Sequence, residues 1–154
     1  MIFKAFIAVC LFGLSVFPVT FNAQVVRVID GDTIHVIRDN QDRVKVRLFG
    51  IDAPELNQRD GAASGRYLSV RIGDQSVQIV SHGYDDYGRL LGEVIDSSGV
   101  NINEEMVRYG LAWVYRRYVK TTDWLTLEKT ARAHGAGLWR RRHPVPPWQH
   151  RKNN

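Results

Sequence analysis

Carboxylates and arginines early in this chain fall in a pattern that suits chemistry on a phosphate. The run from Ile29 to Val36 reads Ile-Asp-Gly-Asp-Thr-Ile-His-Val and puts Asp30 and Asp32 at a glycine turn. The run from Val46 to Glu55 reads Val-Arg-Leu-Phe-Gly-Ile-Asp-Ala-Pro-Glu and ends in Asp52 and Glu55. Carboxylate oxygens are the natural ligands of hard cations such as Ca²⁺ and Mg²⁺, and backbone carbonyls supplement them. Arg47 stands on the second run, and Arg89 follows a tight turn at Tyr87-Gly88. A guanidinium fork binds phosphate through two hydrogen bonds, which a lysine cannot reproduce. Together these residue types could hold a metal ion against a phosphate. Each piece also has a purely structural reading. Asp30-Gly31 is a hairpin signal in which glycine accepts positive φ. Asp52-x-x-Glu55 with Pro54 has the spacing of a helix start. An arginine on a surface strand is otherwise simply solvated.

The elements that must position these residues follow from periodicity. Gln24 to Ile29 is rich in valine and predicts a strand. Thr33 to Ile37 predicts a second. Val44, Val46 and Leu48 alternate with Lys45 and Arg47, which predicts a third strand with one buried face. The short connections make the three consecutive and antiparallel. Arg47 and Asp52 are an odd number of residues apart, so strict alternation sends them to opposite faces. A bend or bulge near Gly50 is needed to bring them together. Ala62 to Ile72 predicts a helix stopped by Gly73. Val77 to Ser81 and Leu90 to Ile95 predict two further strands around the Asp85–Gly88 turn. Asn101 and Glu104 have capping-box spacing ahead of Ile102, Met106 and Tyr109 at helical period. Leu111 to Tyr115 reads as extended. Asp123 predicts the cap of a third helix that ends near His134-Gly135. Beyond Trp139 the chain is basic and proline-rich, without a helical or strand period. The pattern predicts an α+β fold, mainly β: a closed five-stranded barrel of the oligonucleotide-binding type (OB-fold) with three helices.

Length and composition bound the alternatives. The chain has 154 residues and a formal net charge of +5, which suits one domain with anionic partners. Residues 1–23 carry a lysine near the start, an apolar run and a small-residue end, the pattern of a secretory signal cut after about Ala23. A retained anchor and a lipid-modified Cys10 are the alternative readings of that segment. Cys10 is the only cysteine, so the mature protein has no disulfide. Roughly 130 remaining residues bury enough surface to fold without one. The five histidines show no zinc spacing. Ser64 lacks a G-x-S-x-G context, and no phosphate-binding glycine loop of the P-loop type is present. Tyr115-Arg-Arg-Tyr118 interleaves aromatic and basic residues as single-stranded nucleic-acid grooves do. Arg140-Arg-Arg142 could add phosphate contacts. Both segments can equally be solvated basic faces.

Three segments together resemble the signatures of the thermonuclease (staphylococcal nuclease-like) family, in that family's order. They are Asp30-Gly-Asp-Thr33, Arg47 with Ile51-Asp-Ala-Pro-Glu55, and Asp85-Asp-Tyr-Gly-Arg89. Gly110-Leu-Ala-Trp-Val-Tyr115, Gly137-Leu-Trp139 and Pro146-Pro-Trp148 resemble its bacterial members. The resemblance implies that Asp32, Asp52 and the carbonyl of Ala53 bind Ca²⁺. It implies that Glu55 is the general base, that Arg47 and Arg89 bind the phosphate, and that Tyr87 lies near the bound nucleotide. It further implies an endonuclease that cleaves DNA and RNA at the 5′-oxygen and leaves 3′-phosphates. Ala53 stands where the best-known member has threonine; a carbonyl ligand survives that change, and a hydroxyl role does not. The loop from Leu56 into the first helix is short beside that member. The expected organisation is a signal (1–23), a nuclease-like domain (24–139) and a basic tail (140–154). The expected protein is a secreted or periplasmic monomer that acts on single-stranded or locally open nucleic acid, without stable membrane association. The competing readings are a barrel of this type that binds without cutting, and a cell-surface interaction protein held by an uncleaved N-terminus.

Overall fold

The computed structural model describes residues 18–119 and 121–153. The segment read as a signal lies outside them up to residue 17. The first strand, β1 (Thr20–Val28), starts earlier than its own valine pattern suggests. Its leading residues Thr20 to Gln24 pair with Val80 to Ser76, so a distant partner strand sets that end. β2 (Thr33–Arg38) and β3 (Arg43–Leu48) follow as consecutive antiparallel strands. Their alternation buries Ile34, Val36, Val46 and Leu48 in the interior.

Chain reversal after β3 leads into the two-residue strand β4 (Ile51–Asp52). Helix α1 (Gly61–Ile72) comes next, with Ser64, Leu68 and Ile72 on its inner face. β5 (Ser76–Tyr84) and β6 (Leu90–Ile95) form an antiparallel pair around the Asp85–Gly88 turn. β6 runs parallel to β3, and β5 returns to β1, which closes a barrel in the order β1-β2-β3-β6-β5. Closure leaves no unpaired edge among the five strands. The expected five-stranded barrel is therefore the observed one.

Helix α2 (Ile102–Arg108) is capped as its spacing predicts: the Asn101 side chain accepts from the Glu104 N–H at 3.2 Å. It buries Ile102, Met106 and Val107 against the barrel core. β7 (Trp113–Val114) pairs with β4 in a separate two-stranded sheet. α3 (Thr122–Ala133) has Thr121 rather than Asp123 at its N-cap position; the aspartate sits in the first turn, where its charge suits the helix dipole. A 3₁₀ turn (Gly137–Arg140) and a short helix α4 (Pro147–His150) complete the chain. The tail that shows no period in sequence is thus part of the folded body. Trp148 packs edge-on to Trp113 with ring centroids 6.2 Å apart, and Gln58 Nε2 donates to the Val145 carbonyl at 2.6 Å.

Candidate active site

Two chain reversals bring the acidic tips together. In the first, the Ile29 N–H donates to the Thr33 carbonyl at 2.9 Å, and the Asp32 N–H donates to Asp30 Oδ1 at 3.0 Å. Gly31 is needed for close approach, not for the positive φ that a hairpin signal implies: its φ is not left-handed. A Cβ there would lie 2.0 Å from Ser64 Oγ and 2.8 Å from Ala53 Cβ. The second reversal turns on Gly50, whose φ of +77° is left-handed. It bends the chain between β3 and β4, so that Arg47 and Asp52 converge despite their odd spacing. Asn103, fully buried on α2, holds this bend. Its Nδ2 donates to the Phe49 carbonyl at 2.9 Å and the Gly92 carbonyl at 3.0 Å, and its Oδ1 accepts from the Val94 N–H at 3.0 Å.

Arg47 is the hub. Its Nη1 donates to the Leu48 carbonyl at 3.0 Å and the Ile51 carbonyl at 2.9 Å. Its Nη2 lies 3.0 Å from Asp52 Oδ1 and 3.1 Å from Asp32 Oδ2, so one nitrogen joins both carboxylates. The Ala53 N–H donates to the same Asp32 Oδ2 at 2.6 Å, and Thr33 Oγ1 donates to Asp32 Oδ1 at 3.1 Å. Burial pushes the Asp32 carboxyl up to about 7. Arg47 and the Ala53 N–H work against that rise, while Asp30 and Asp52 add to it. Asp52 is 1% exposed. It lies in β4 and caps no helix, because α1 does not begin until Gly61; the helix-start reading of Asp52-x-x-Glu55 is therefore wrong. Glu55 follows in an irregular segment, where its N–H donates to Gln58 Oε1 at 3.1 Å.

The opposite wall comes from the β5–β6 turn. Asp85 Oδ1 accepts from the Tyr87 and Arg89 N–H groups at 3.0 and 2.9 Å, and Asp85 Oδ2 accepts from Arg89 Nε at 2.7 Å. Burial acts to raise the Asp85 carboxyl, but these hydrogen bonds outweigh it and hold it below the usual range. The Nε contact leaves the terminal nitrogens of Arg89 to face other partners. Tyr87 is 85% exposed, with the Arg89 guanidinium 5.4 Å from its ring centre.

One cavity of about 650 Å³ is lined by Asp32, Arg47, Asp52, Ala53, Glu55, Tyr87 and Arg89. Each residue singled out from the three sequence segments therefore meets the others on one surface. Lys45, Tyr115, Arg117 and Tyr118 join them there, which gives the interleaved aromatic and basic segment a place at the rim. Arg151 was not found from the sequence. It reaches in from the C-terminal side of α4, and its Nη2 and Nη1 lie 2.8 and 3.2 Å from the two Asp52 oxygens. The same Nη1 lies 2.6 Å from Glu55 Oε1. The only local hints were Pro147 at a helix start and Trp148 as an apolar anchor.

A family model described as staphylococcal nuclease homologue matches residues 45–141. The chain belongs to the staphylococcal nuclease family. The match takes in Arg47, Asp52, Glu55 and Arg89. A protein of Escherichia coli named as an uncharacterized endonuclease is 40% identical over 144 residues, covering 92% of this chain and 94% of the relative. A protein of Shigella flexneri named micrococcal nuclease is 39% identical over 142 residues, covering 86% of this chain and 81% of the relative. A staphylococcal-like nuclease of Arabidopsis thaliana is 32% identical over 111 residues, covering 72% of this chain and 34% of the relative. As a staphylococcal nuclease family member, this chain is a thermonuclease-like hydrolase.

Proposed function

We propose that this protein is a Ca²⁺-dependent endonuclease that hydrolyses DNA and RNA, single-stranded or locally open, at the 5′-oxygen and leaves 3′-phosphates. The observation that carries the reading is the convergence of two buried carboxylates, Glu55 and two arginines on one cavity. The bond cleaved and the ion used rest on the family relationship.

The donor set suits a hard cation. Asp32 and Asp52 supply buried carboxylates, the hard-oxygen donors such an ion takes. The guanidinium of Arg151 already stands in for a cation at Asp52. Among the described residues no group of three or more His, Cys, Asp and Glu side chains forms a metal cage. Asp32 and Asp52 would therefore hold the ion with the Ala53 carbonyl and water. When bound, Ca²⁺ supplies Lewis-acid polarisation and a template for the scissile phosphate. Arg47 is fixed by two carbonyls and two carboxylates, so it offers a positive charge that needs no reorganisation as charge grows at phosphorus. Arg89, steadied through Nε, directs its remaining N–H groups at the phosphate. Glu55, released from Arg151, orients or deprotonates the attacking water; such help is typically about 10²–10⁴-fold. Tyr87 offers an exposed ring beside the nucleotide.

The experiment is an oligonucleotide cleavage assay with Ca²⁺ and then with excess chelator, followed by end-group analysis. Full activity in chelator, or products with 5′-phosphates, would overturn the reading. The secretory reading belongs to the same proposal, with one adjustment. Thr20 to Ala23 pair with β5 and Ala23 is buried, so a mature chain beginning at or before Thr20 keeps the barrel whole. N-terminal sequencing of periplasmic or extracellular protein checks this.

A further inference from the structure

A second cavity, of about 850 Å³, adjoins the first and shares Tyr115 and Arg117 with it. Its volume is that of a small-ligand pocket. Trp113, Trp139 and Trp148 line it. Trp113 is nearly buried and forms the post against which the others lean, with centroid distances of 5.2 Å to Trp139 and 6.2 Å to Trp148. The interplanar angles of 73° and 76° mean that neither ring is covered by flat stacking on Trp113. Trp148 is 38% exposed. The indole N–H of Trp139 is buried and has no acceptor among the described residues.

The charge of this cavity is unbalanced. Glu128 is the one acidic residue of its lining, and Arg132 at 3.3 Å and Arg116 at 3.6 Å answer it. Arg117 and Arg142 also line the cavity, and neither makes an ion pair among the described residues. The Arg132 guanidinium lies over the Trp139 ring at 3.9 Å, so Trp148 is the exposed ring of the three. An exposed ring beside unpaired guanidinium groups is the combination that holds a single strand: a base stacks, and phosphates meet the arginines. None of these tryptophans takes part in the chemistry assigned to Asp52, Glu55 and the two arginines.

We propose that this cavity is a second nucleotide subsite. It takes a base and phosphate of the same single strand whose scissile phosphate lies at Arg47 and Asp52. The strand passes from one cavity to the other over Tyr115 and Arg117. The subsite sets preference for longer strands and contributes nothing to bond cleavage. The inference rests on the nuclease reading.

The test compares cleavage of a dodecathymidylate with cleavage of a dithymidylate, in Ca²⁺, for wild type, Trp148→Ala and Arg142→Ala. At saturating Ca²⁺, where Arg151 is already displaced from Asp52 in both proteins, Trp148→Ala is expected to raise KM on the dodecamer about tenfold or more, the loss of one stacked base, with kcat and dinucleotide cleavage unchanged. Arg142→Ala is expected to flatten the dependence of log(kcat/KM) on log salt by about 0.7 on the dodecamer. Arg142 is exposed and its removal spares the fold, so it keeps the test valid if Trp148→Ala disturbs α4. The subsite is refuted if wild type cuts the dodecamer but both variants keep its KM and salt slope. It is also refuted if they lose as much on the dinucleotide. If wild type cuts neither substrate, the nuclease reading fails and the subsite falls with it.

Discussion

Replacing Arg151 with alanine should tighten Ca²⁺ binding. The guanidinium makes contacts of 2.8 and 3.2 Å to Asp52 and of 2.6 Å to Glu55. Asp52 is buried, but the Arg151 side chain is 46% exposed, so water screens the cluster. Charge-assisted hydrogen bonds contribute about 1.5–3 kcal/mol each when sheltered, and exposed pairs about 0–1 kcal/mol. A value of about 1–2 kcal/mol for the whole contact follows from these limits. A cation that uses Asp52 must displace the guanidinium, so this energy opposes binding. At about 1.4 kcal/mol per tenfold, Arg151→Ala should lower the Kd for Ca²⁺ about 5- to 30-fold. Calorimetric titration of CaCl₂ into both proteins without nucleic acid measures it, with circular dichroism as the check on folding. An unchanged Kd in a folded variant would refute the reasoning. A weaker one would mean that Arg151 holds Asp52 in place for the ion.

Glu55→Gln and Arg89→Lys should each lose on the order of 10²-fold or more in kcat while folding normally, because one removes the base and the other the planar fork. Wild-type turnover in either would remove that residue from the chemistry. Gly31→Ala should cost about 1–3 kcal/mol in urea unfolding, since its Cβ would meet Ser64 Oγ at 2.0 Å; unaltered stability would show that the turn yields freely. Burial acts to raise the Asp96 carboxyl, but the Val100 and Ser98 N–H groups and Arg71 outweigh it and hold the group below the usual range. A depressed carboxyl stabilises above its unfolded value of about 3.9 and loses that contribution as pH falls through the folded value. Asp96→Asn should therefore be less stable than wild type at pH 7, with the gap narrowing as the pH falls below about 3.9; a gap independent of pH would sink this account.

Much of the barrel was legible because one-sided burial leaves a trace. Val44, Val46 and Leu48 alternate with Lys45 and Arg47, and the structure sends the first set inward. The Asn101–Glu104 cap was legible for the same local reason. Readings failed where one spacing serves two purposes. Asp52-x-x-Glu55 has helix-start spacing but forms the end of β4 and the loop beyond it. Asp30-Gly31 suggested a positive φ, whereas the glycine answers to Ser64 on a helix far along the chain. The meeting of Arg47 with Asp52 was conditional on a bend, and Gly50 supplies it. Arg151 left no periodic signal, because a four-residue helix has none to leave. Its position is fixed by tertiary packing of Trp148 on Trp113.

Among the described residues Asn103 makes no hydrogen bond to a residue lining the cavity, yet one amide ties the bend at Phe49 to two points on β6. The geometry between Arg47 and Asp52 is therefore inherited from a residue outside the cavity. Leucine at that place would fit the apolar surroundings but remove the Asn103 bonds to the Phe49 carbonyl and the Val94 N–H, while the Gly92 carbonyl would keep the Phe49 N–H at 2.8 Å. Aspartate would keep the acceptor but turn both donated bonds repulsive. The genetic target for losing activity is thus wider than the surface that meets substrate, and it includes a position whose side-chain hydrogen bonds, among the described residues, all go to main chain. A survey of inactive variants would find lesions at the start of α2, where a map of the cavity alone gives no reason to look.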